Sequence, residues 1–444
     1  MINRLIRVHA LVPAWRVCFA AVALPLGVHA TEFDPVIVSA SRMEQPLSQV
    51  LPSVSVITRE DIDRSQVNNL ADLLHGESGF EFARNGGAGS TTSFFLRGQE
   101  SKSVLILIDG VPSQRDGSGS LTMTDFPLSR IERVEVIRGN ASALYGESAI
   151  GGVISITTRK GQGPAIAYGS ISYGSRNTSN TALGYSGSVE NTRFDFQMGA
   201  GHTSGFSAIN PLQNSGVNPA NDGYSRQFAG LRLDKSLDSG LALGVRLSSH
   251  QSKTDYDSDW FGSSSRQRFD ITSNATGLNI KNLLSEAWTS SLDIAYTDFK
   301  YDDLLDGQLT TIYGTSTPNG QYKGQQTSVR WQNQYDLPAG WKSVFGVDRL
   351  QEKYQQVNSY LSARNTSGFY AGLSGKFDRL DVQLNLRNDS VDVSRDSGGS
   401  RQENSTHVTS GLVGAGYQLT PIWRLTSTFS TGFRAPTLKP SEWH

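Results

Sequence analysis

The chain has 444 residues, and its 40 Lys and Arg nearly balance its 41 Asp and Glu, for a formal net charge of -1. This near-equal number of positive and negative charges excludes the electrostatic signature of a nucleic-acid-binding protein. The sequence also lacks an apolar run of the roughly 18 residues that a transmembrane helix needs. A membrane-spanning β-barrel stays open, because its spanning segments alternate in polarity and give a weak hydropathy signal.

The first 30 residues are organised like a secretory signal peptide. A basic region, a short apolar run and a small-residue cleavage site follow one another at Arg4 to Arg16, Val17–Val28 and Val28-His29-Ala30. This order predicts export across an inner membrane. Cys18, the single cysteine, lies inside the segment, so cleavage would leave a chain without disulfides.

Residues 34–40, DPVIVSA, are a short β-prone stretch that precedes a polar segment. Two interpretations fit them. The stretch can be an ordinary edge strand of the domain that follows, or a free strand that adds to the sheet edge of a partner. In the second case backbone hydrogen bonds supply affinity and alternate side chains supply selectivity.

Residues 51–161 have the pattern of a small α+β domain. Val54–Thr58 is strand-like, and a helix capping box is indicated by Thr58 and Asp61. Leu105–Ile108 is a continuous apolar run, as in strands buried on both faces. Four further apolar residues can share one face of short helices, namely Ile62, Leu70, Leu73 and Leu74.

Arg133–Thr157, RVEVIRGNASALYGESAIGGVISIT, is the most informative stretch of this domain. Its apolar residues predict two strands, Val134–Ile137 and Val153–Ile156, joined by a glycine-rich turn. Four ionisable residues crowd the same stretch, namely Arg133, Glu135, Arg138 and Glu147. In a domain enclosed by other protein such charges would need partners.

Beyond Gly163 the sequence becomes a succession of short segments that alternate with a period of two between turn residues. At 193–200 and again at 380–387, apolar side chains alternate with polar or charged ones. This pattern predicts a barrel with an apolar outer face and a polar lumen. A β-sandwich should show a buried core and fewer polar partners, and a propeller should show a blade repeat, which the sequence lacks.

Four motifs of the N-terminal domain resemble, in order and spacing, the plug of TonB-dependent outer-membrane transporters. They are Phe95–Gly98 (FLRG), Leu107–Pro112 (LIDGVP), Ile131–Gly139 (IERVEVIRG) and Ser142–Gly146 (SALYG). Residues 34–40 look like the family's energy-coupling TonB box. The sequence departs from the family pattern at Asn140, where Pro is usual, and at Ser155, where Asn is usual. Neither departure removes an ionisable group.

The resemblance implies an α+β plug domain inside a transmembrane antiparallel β-barrel, which in this family closes with 22 strands. We expect a signal peptide at 1–30, the TonB box and a linker at 31–50, the plug at 51–161 and barrel strands at 162–444. The residues from Pro164 to His444 suffice for roughly 11 to 14 strands. TGFRAPT at 431–437 resembles a mid-barrel motif of the family. We therefore expect the chain to be a fragment or a frame-disrupted product.

Site residues follow from the resemblance. The TonB-binding residues would be Asp34, Pro35, Val36, Ile37, Val38, Ser39 and Ala40. Two plug loops are similar to the ligand-contacting loops of the cobalamin transporters in this family, which makes the ligand-binding residues Asn85, Gly86, Gly87, Ser90, Ser113, Asp116, Ser118 and Gly119. Plug charges that would pair with the barrel wall are Arg97, Arg133, Glu135 and Arg138.

Acidic loop residues suggest a metal site as well. Carboxylate and other oxygen groups suit calcium, although acidic loops of exported proteins are commonly just solvated. The cobalamin transporters bind calcium in matching extracellular loops, and the resemblance places ligands at Asp222, Tyr256, Asp257 and Asp270. Ala220 stands where a further carboxylate would be expected.

The sequence shows no phosphate-binding GxxxxGK[ST] motif and no nucleophile elbow, so neither an ATP site nor covalent chemistry is indicated. The resemblance implies TonB-dependent import of cobalamin or a related corrinoid by a monomer in the outer membrane of a Gram-negative bacterium. Its partners would be TonB, the corrinoid and outer-membrane lipid, without a catalytic cofactor. A siderophore or other metal-chelate receptor is the alternative within transport. A passive pore or an adhesin is the alternative from another class.

Overall fold

The computed structural model describes residues 37–38, 42–43, 45–119, 126–311 and 317–438, all within one compact unit. The predicted signal peptide and residues 34–36 and 39–40 of the predicted TonB box lie outside the described residues. In the part of the chain that the structure describes, no helix is both long and apolar enough to cross a membrane.

The N-terminal domain, here called the plug, is built from short elements. Its strands and helices are β1 (Ile37–Val38), β2 (Gln45–Pro46), β3 (Ser53–Thr58), α1 (Arg59–Ser65), α2 (Leu70–His75), β4 (Phe80–Arg84), β5 (Thr92–Leu96), β6 (Gln99–Glu100), β7 (Val104–Ile108), β8 (Val111–Pro112), β9 (Ile131–Arg138), α3 (Ser142–Tyr145) and β10 (Gly152–Thr158). Three-residue 3-10 turns lie at Leu47–Gln49, Ser101–Ser103 and Leu128–Arg130.

A five-stranded sheet in the order β3-β9-β10-β7-β8 forms the centre of the plug. The predicted strand at 153–156 is β10, which runs antiparallel to β9 and parallel to β7. Leu105 to Leu107 in β7 are buried, as the continuous apolar run predicted. Strands β4, β5 and β6 form a separate three-stranded sheet. Phe80 and Phe94 of this sheet pack into the hydrophobic core of the plug.

The helices of the plug begin and pack as their sequences require. Thr58 forms the predicted capping box with Asp61, whose carboxylate accepts a hydrogen bond from the Thr58 backbone N–H at 3.0 Å. The four predicted apolar residues are buried on α1 and α2. The stretch between β9 and β10, predicted as a turn, contains α3 instead. Asn140 accepts a hydrogen bond from the Ser142 N–H at 3.0 Å near its start, and Gly146 ends it at φ 81°.

A 14-stranded antiparallel sheet, here called the wall, follows the plug. Its strands are β11 (Ile166–Gly174), β12 (Thr178–Val189), β13 (Thr192–Phe206), β14 (Asp222–Ser236), β15 (Leu241–Tyr256), β16 (Gln267–Ser285), β17 (Trp288–Leu305), β18 (Gln308–Leu309), β19 (Gln321–Asp336), β20 (Lys342–Gln356), β21 (Tyr360–Phe377), β22 (Leu380–Ser397), β23 (Ser400–Gln418) and β24 (Arg424–Ser430). Each strand pairs with its neighbours in chain order, except that β18 pairs with β17 alone. A 3-10 turn at Pro338–Gly340 joins β19 to β20. The combination of plug and antiparallel wall confirms the predicted fold class.

The wall strands separate apolar from polar residues by face. On β13, Phe196 and Met198 are exposed, whereas Asp195 and Gln197 are buried. On β22, Leu386 is exposed and Arg387 is buried against the plug side. An apolar outer face suits lipid, and the inward polar face suits a lumen that holds a folded domain.

Leu74 tests how far the plug depends on its own core, since its side chain is fully buried. Leu74→Ala should destabilise the plug by roughly 2–5 kcal/mol, because it removes apolar contacts and leaves a cavity. Hydrogen exchange of plug amides, read by mass spectrometry, should show the loss of protection. Glu81→Ala, at an exposed position of β4, is the matched control and should change little. Equal protection in the two variants would contradict an independent plug core.

Candidate functional site

Asp109, in the turn after β7, ties the plug to the wall. Its carboxylate accepts hydrogen bonds from the Thr158 backbone N–H at 2.9 Å and from Arg232 of β14 at 2.9 Å. Arg246 of β15 lies 3.9 Å away. Burial alone would raise the pKa of Asp109, but Arg232 and Arg246 outweigh it and hold the pKa below its ordinary value. The carboxylate is therefore charged at neutral pH and binds two neighbouring wall strands.

A second link joins the loop after α3 to the wall. Glu147 of the plug accepts from Arg364 of β21 at 3.0 Å, and Arg364 also lies 2.6 Å from Glu352 of β20. All three side chains are about nine-tenths buried. Removing one member of a buried charge cluster leaves the others buried without a partner. Breaking this link therefore costs a large amount of free energy.

The predicted pairing of four plug charges with the wall differs from the structure. Arg133 pairs with Glu135 at 2.9 Å, since the two are next-nearest neighbours on one face of β9. Arg138 turns to Glu77 in the loop after α2, at 2.6 Å. Arg97 occupies a turn at φ 51° and has no ion pair among the residues that the structure describes. The plug-to-wall role belongs instead to Asp109 and Glu147.

The predicted TonB box is partly visible as β1. Ile37 pairs with Pro46 and Val38 with Gln45 in an antiparallel ladder, so the strand is docked on its own chain. Four residues after β1, Arg42 is held between plug and wall. Its guanidinium lies 3.2 Å from the Asp348 carboxylate of β20 and 4.2 Å from the centre of the Tyr370 ring. Its backbone carbonyl accepts hydrogen bonds from Gln332 at 2.8 Å and Gln334 at 2.9 Å.

The structure places the predicted ligand-binding residues in two plug loops at one end of the wall. The first loop, with Asn85, Gly86, Gly87 and Ser90, lies between β4 and β5 and contacts the end of β13 and the start of β14. A Cβ at Gly89, where φ is 80°, would overlap the Tyr224 ring, so glycine is required for this close approach.

The second loop, with Ser113, Asp116, Ser118 and Gly119, follows β8. Arg115 braces it by donating to the Gly119 carbonyl at 2.9 Å and to the Ser101 carbonyl at 2.8 Å. Burial lowers the pKa of Arg115 to about 10. Asp116 accepts from the Ser118 backbone N–H at 2.8 Å and thereby fixes the turn. Gly117 lies against the Tyr354 ring of β20.

A connected row of aromatic side chains of the wall reaches this second loop at Tyr354, which contacts Gly117. The sequence prediction missed them, apart from Tyr256, which it named as a metal ligand. We call them the aromatic belt: Tyr256, Phe269, Phe299, Tyr301, Tyr322, Tyr354 and Tyr360. Phe269 and Tyr301 stack at 5.3 Å with an interplanar angle of 16°, and Tyr322 and Tyr354 stack at 6.0 Å. Each member lies within a few residues of a strand end on the loop side. That recurrent position is the signal that could have revealed them.

The four predicted metal-binding residues are not all brought together. Asp222 and Asp257 both fasten the segment after β13, where they accept from the backbone N–H groups of Ala208 and Ile209 at 2.9 and 3.0 Å. Tyr256 instead donates to Asp303 at 2.8 Å, and Asp270 pairs with Arg268 at 2.9 Å. Over residues 45–119, 126–311 and 317–438, no group of three His, Cys, Asp or Glu is arranged to hold a metal ion.

Comparison with known proteins identifies both parts of the fold. The family model described as TonB-dependent Receptor Plug Domain matches residues 46–153. The model described as TonB dependent receptor-like, beta-barrel matches residues 167–441.

Among curated proteins, the chain is similar to the Vitamin B12 transporter BtuB of Vibrio cholerae serotype O1, with 28% identity over 439 residues. That alignment covers 96% of this chain and 67% of the relative.

Solved structures agree with this fold at lower identity. The ferric yersiniabactin uptake receptor FyuA from Yersinia pestis superposes with a TM-score of 0.65 at 19% identity, over 85% of this chain. The ferric-catecholate import receptor Fiu from E. coli K12, in its open form, gives 0.73 at 14% identity, over 91% of this chain and 74% of its own. The present chain spans 64% of the yersiniabactin receptor. As the matched family models show, the chain belongs to the TonB-dependent receptors, a family of the outer membrane.

Proposed function

We propose that the protein imports cobalamin or a related corrinoid across the outer membrane by TonB-dependent transport. The observation that carries this proposal is the second plug loop, which rests against the aromatic belt at the loop end of the wall. The similarity to a vitamin B12 transporter supports the same ligand. Binding and energy coupling are the only tasks in this proposal, and no covalent step is involved.

The arrangement suits a corrinoid because it offers two kinds of surface. Aromatic rings provide flat apolar area at low conformational cost, and they can lie against a planar macrocycle. The plug loops contribute small polar residues whose backbone and hydroxyl groups can meet a fringe of amides, for example Ser113, Ser118 and Gly119. We assign the eight predicted loop residues and the aromatic belt to one external binding site.

Energy would enter through residues 34–40. The proposed partner strand adds to the edge of β1 that β2 occupies here, so β1 has to leave β2 first. Force on the released strand then reaches Arg42. This residue pairs with Asp348 of the wall and accepts hydrogen bonds from Gln332 and Gln334. Extracting Arg42 breaks plug-to-wall contacts before any core strand of the plug has to unfold. TonB is the proposed partner that pulls.

Calcium is a subsidiary proposal. Asp222 and Asp257 lie close together beside the first plug loop, since both fasten the segment 207–209. Tyr256 and Asp270, the other two predicted ligands, would have to leave Asp303 and Arg268 to join them. Calcium would therefore act by rearranging this segment and would stiffen the wall beside the external site.

The external site can be tested with the purified protein. Cyanocobalamin should bind at equilibrium, and Tyr301→Ala should weaken binding by roughly 5- to 30-fold, as expected for a buried aromatic contact. Tyr296→Ala is the matched control, because Tyr296 lies on the same strand but on its exposed face. A ferric siderophore, tested in parallel, distinguishes the alternative ligand class. Binding of the siderophore without cyanocobalamin would replace the corrinoid in this proposal.

Coupling can be tested at Val38. Val38→Pro removes a backbone N–H that strand addition needs, so uptake should be abolished while cyanocobalamin binding is unchanged. Val38→Ala keeps the N–H and should retain most uptake. The measurement is accumulation of labelled cyanocobalamin in cells without another transporter. Normal uptake by the proline variant would refute the coupling role, and ion conduction independent of residues 34–40 would favour a passive pore.

Asp109 sets how firmly the plug is held. Asp109→Asn should weaken the hold by roughly 3–5 kcal/mol, because Arg232 and Arg246 lose their shared charge. Hydrogen exchange at 104–112 should accelerate accordingly. Because its pKa is depressed, the carboxylate stabilises the contact at neutral pH, and this contribution disappears as the pH falls through the lowered pKa. The control is Asp63→Asn, whose exposed pair with Arg59 should contribute little.

A further inference from the structure

A cavity of about 440 Å³ lies between plug and wall, at the end of the sheet opposite the aromatic belt. Arg193, Asp234 and Lys281 line it close to the strand hairpins at 189–192, 236–241 and 285–288. Its wall comes from strands β13 to β19, which lie within the sheet and away from the outer strands β11 and β24. The volume falls in the range of roughly 300–1,000 Å³ that is usual for small-molecule sites.

The cavity carries an excess of positive charge. Nine basic side chains and three carboxylates line it. Five of the nine have carboxylate partners at 4.0 Å or less, namely Arg42 with Asp348, Arg133 with Glu135, Arg232 with Asp109 and Asp234, Arg246 with Asp109 and Asp293, and Arg330 with Asp293. These five basic groups and five acidic groups balance one another, so the remaining four basic side chains constitute the excess.

Three of the remaining basic residues line the cavity without an ion-pair partner in the part of the chain that the structure describes. Lys160, Arg193 and Lys281 have no ion pair or side-chain hydrogen bond among the residues that the structure describes. Arg193 lies on the same inward face of β13 as Asp195, and Lys281 lies on the same inward face of β16 as Asn279. The fourth, Lys235, lies on the same outer face of β14 as Leu233.

Lys160 is the clearest case of a cation in this cavity that lacks a direct partner among the described residues. It lies two residues after β10. Burial lowers its pKa and nearby Arg232 lowers it further, and together they outweigh the opposing attraction of Asp109 and Asp234. An ammonium group that loses water without gaining a direct partner is destabilised. A bound anion would supply that partner and would neutralise Arg193 and Lys281 as well.

The cavity also has a smaller neighbour of about 70 Å³ on the side of Arg115 and Glu147. The two cavities share lining residues, namely Arg42, Leu107, Gly110, Tyr145 and Arg330. They therefore adjoin, and Arg42 is one of the residues at their boundary. Withdrawal of Arg42 would enlarge the connection between them.

We infer that this cavity is a binding site for the oxyanion, phosphate or carboxylate, of a small solute. Its ligands are Lys160, Arg193 and Lys281. The role that we assign to it in transport rests on the proposed import function: it receives an anionic group of the cargo after Arg42 has moved. The binding site itself does not depend on that role.

The test uses pyrophosphate as the probe and isothermal titration calorimetry as the measurement, with the purified full chain in a maltoside detergent. Pyrophosphate should bind, and rising sodium chloride should weaken binding, since partly exposed charges are screened. The triple variant Lys160→Gln, Arg193→Gln, Lys281→Gln should bind at least about tenfold more weakly, because charge-assisted bonds carry the site. The control variant Lys342→Gln, Lys376→Gln, Arg379→Gln removes three cations at the same end of the wall that do not line the cavity.

No binding by the unchanged protein, or equal binding by the two triple variants, would overturn the inference. The single variant Lys281→Glu is a second test that is less exposed to misfolding, because it alters one exposed position near the end of β16. It should also abolish pyrophosphate binding. Uptake of labelled cyanocobalamin separates the sources of the anion. A loss of uptake in the cavity variant, with external binding intact, assigns the site to the cargo, whereas unchanged uptake overturns the transport role. If cyanocobalamin does not bind at all, the import proposal fails and the pyrophosphate result still stands.

Discussion

The polar inner face of the wall is the constraint on which the rest of the structure depends. A folded domain with charged turns can lie against a sheet only if that sheet returns hydrogen bonds and opposite charges. Asp109 shows how this is achieved, because one carboxylate serves Arg232, Arg246 and the Thr158 backbone at once. Glu147 and Arg364 repeat the arrangement at β21. Polar links of this kind therefore hold the plug against the wall.

Sequence reasoning succeeded where the signal was local. The capping box at Thr58, the buried run in β7 and the period of two along β13 and β22 each depend on residues within a few positions of one another. These signals were sufficient for the fold class. The short helix α3 was missed because a glycine-rich stretch of that length resembles a turn at the level of residue type.

Site contacts were harder to predict, because they depend on how distant strands meet. Asp109 and Arg232 are 123 residues apart, and only the register of β14 against the plug brings them together. The opposite error occurred at Arg133 and Glu135, where a partner two residues away was available and a distant one was expected. For the aromatic belt the residue types were visible, but their proximity results from the order of strands in the sheet.

In the proposed import function, β2 competes with the partner strand for the edge of β1 that it occupies. A protein that adds to that edge binds only the fraction of molecules in which β1 has left β2, and its apparent dissociation constant rises in inverse proportion to that fraction. The ladder contains only two residue pairs. If it is worth about 1–2 kcal/mol, roughly 3 to 16% of molecules present a free strand, and the partner's affinity is reduced about 6- to 30-fold. In the proposed function, ligand occupancy at the far end of the plug can therefore alter recruitment of TonB by at most about that factor through β1 alone.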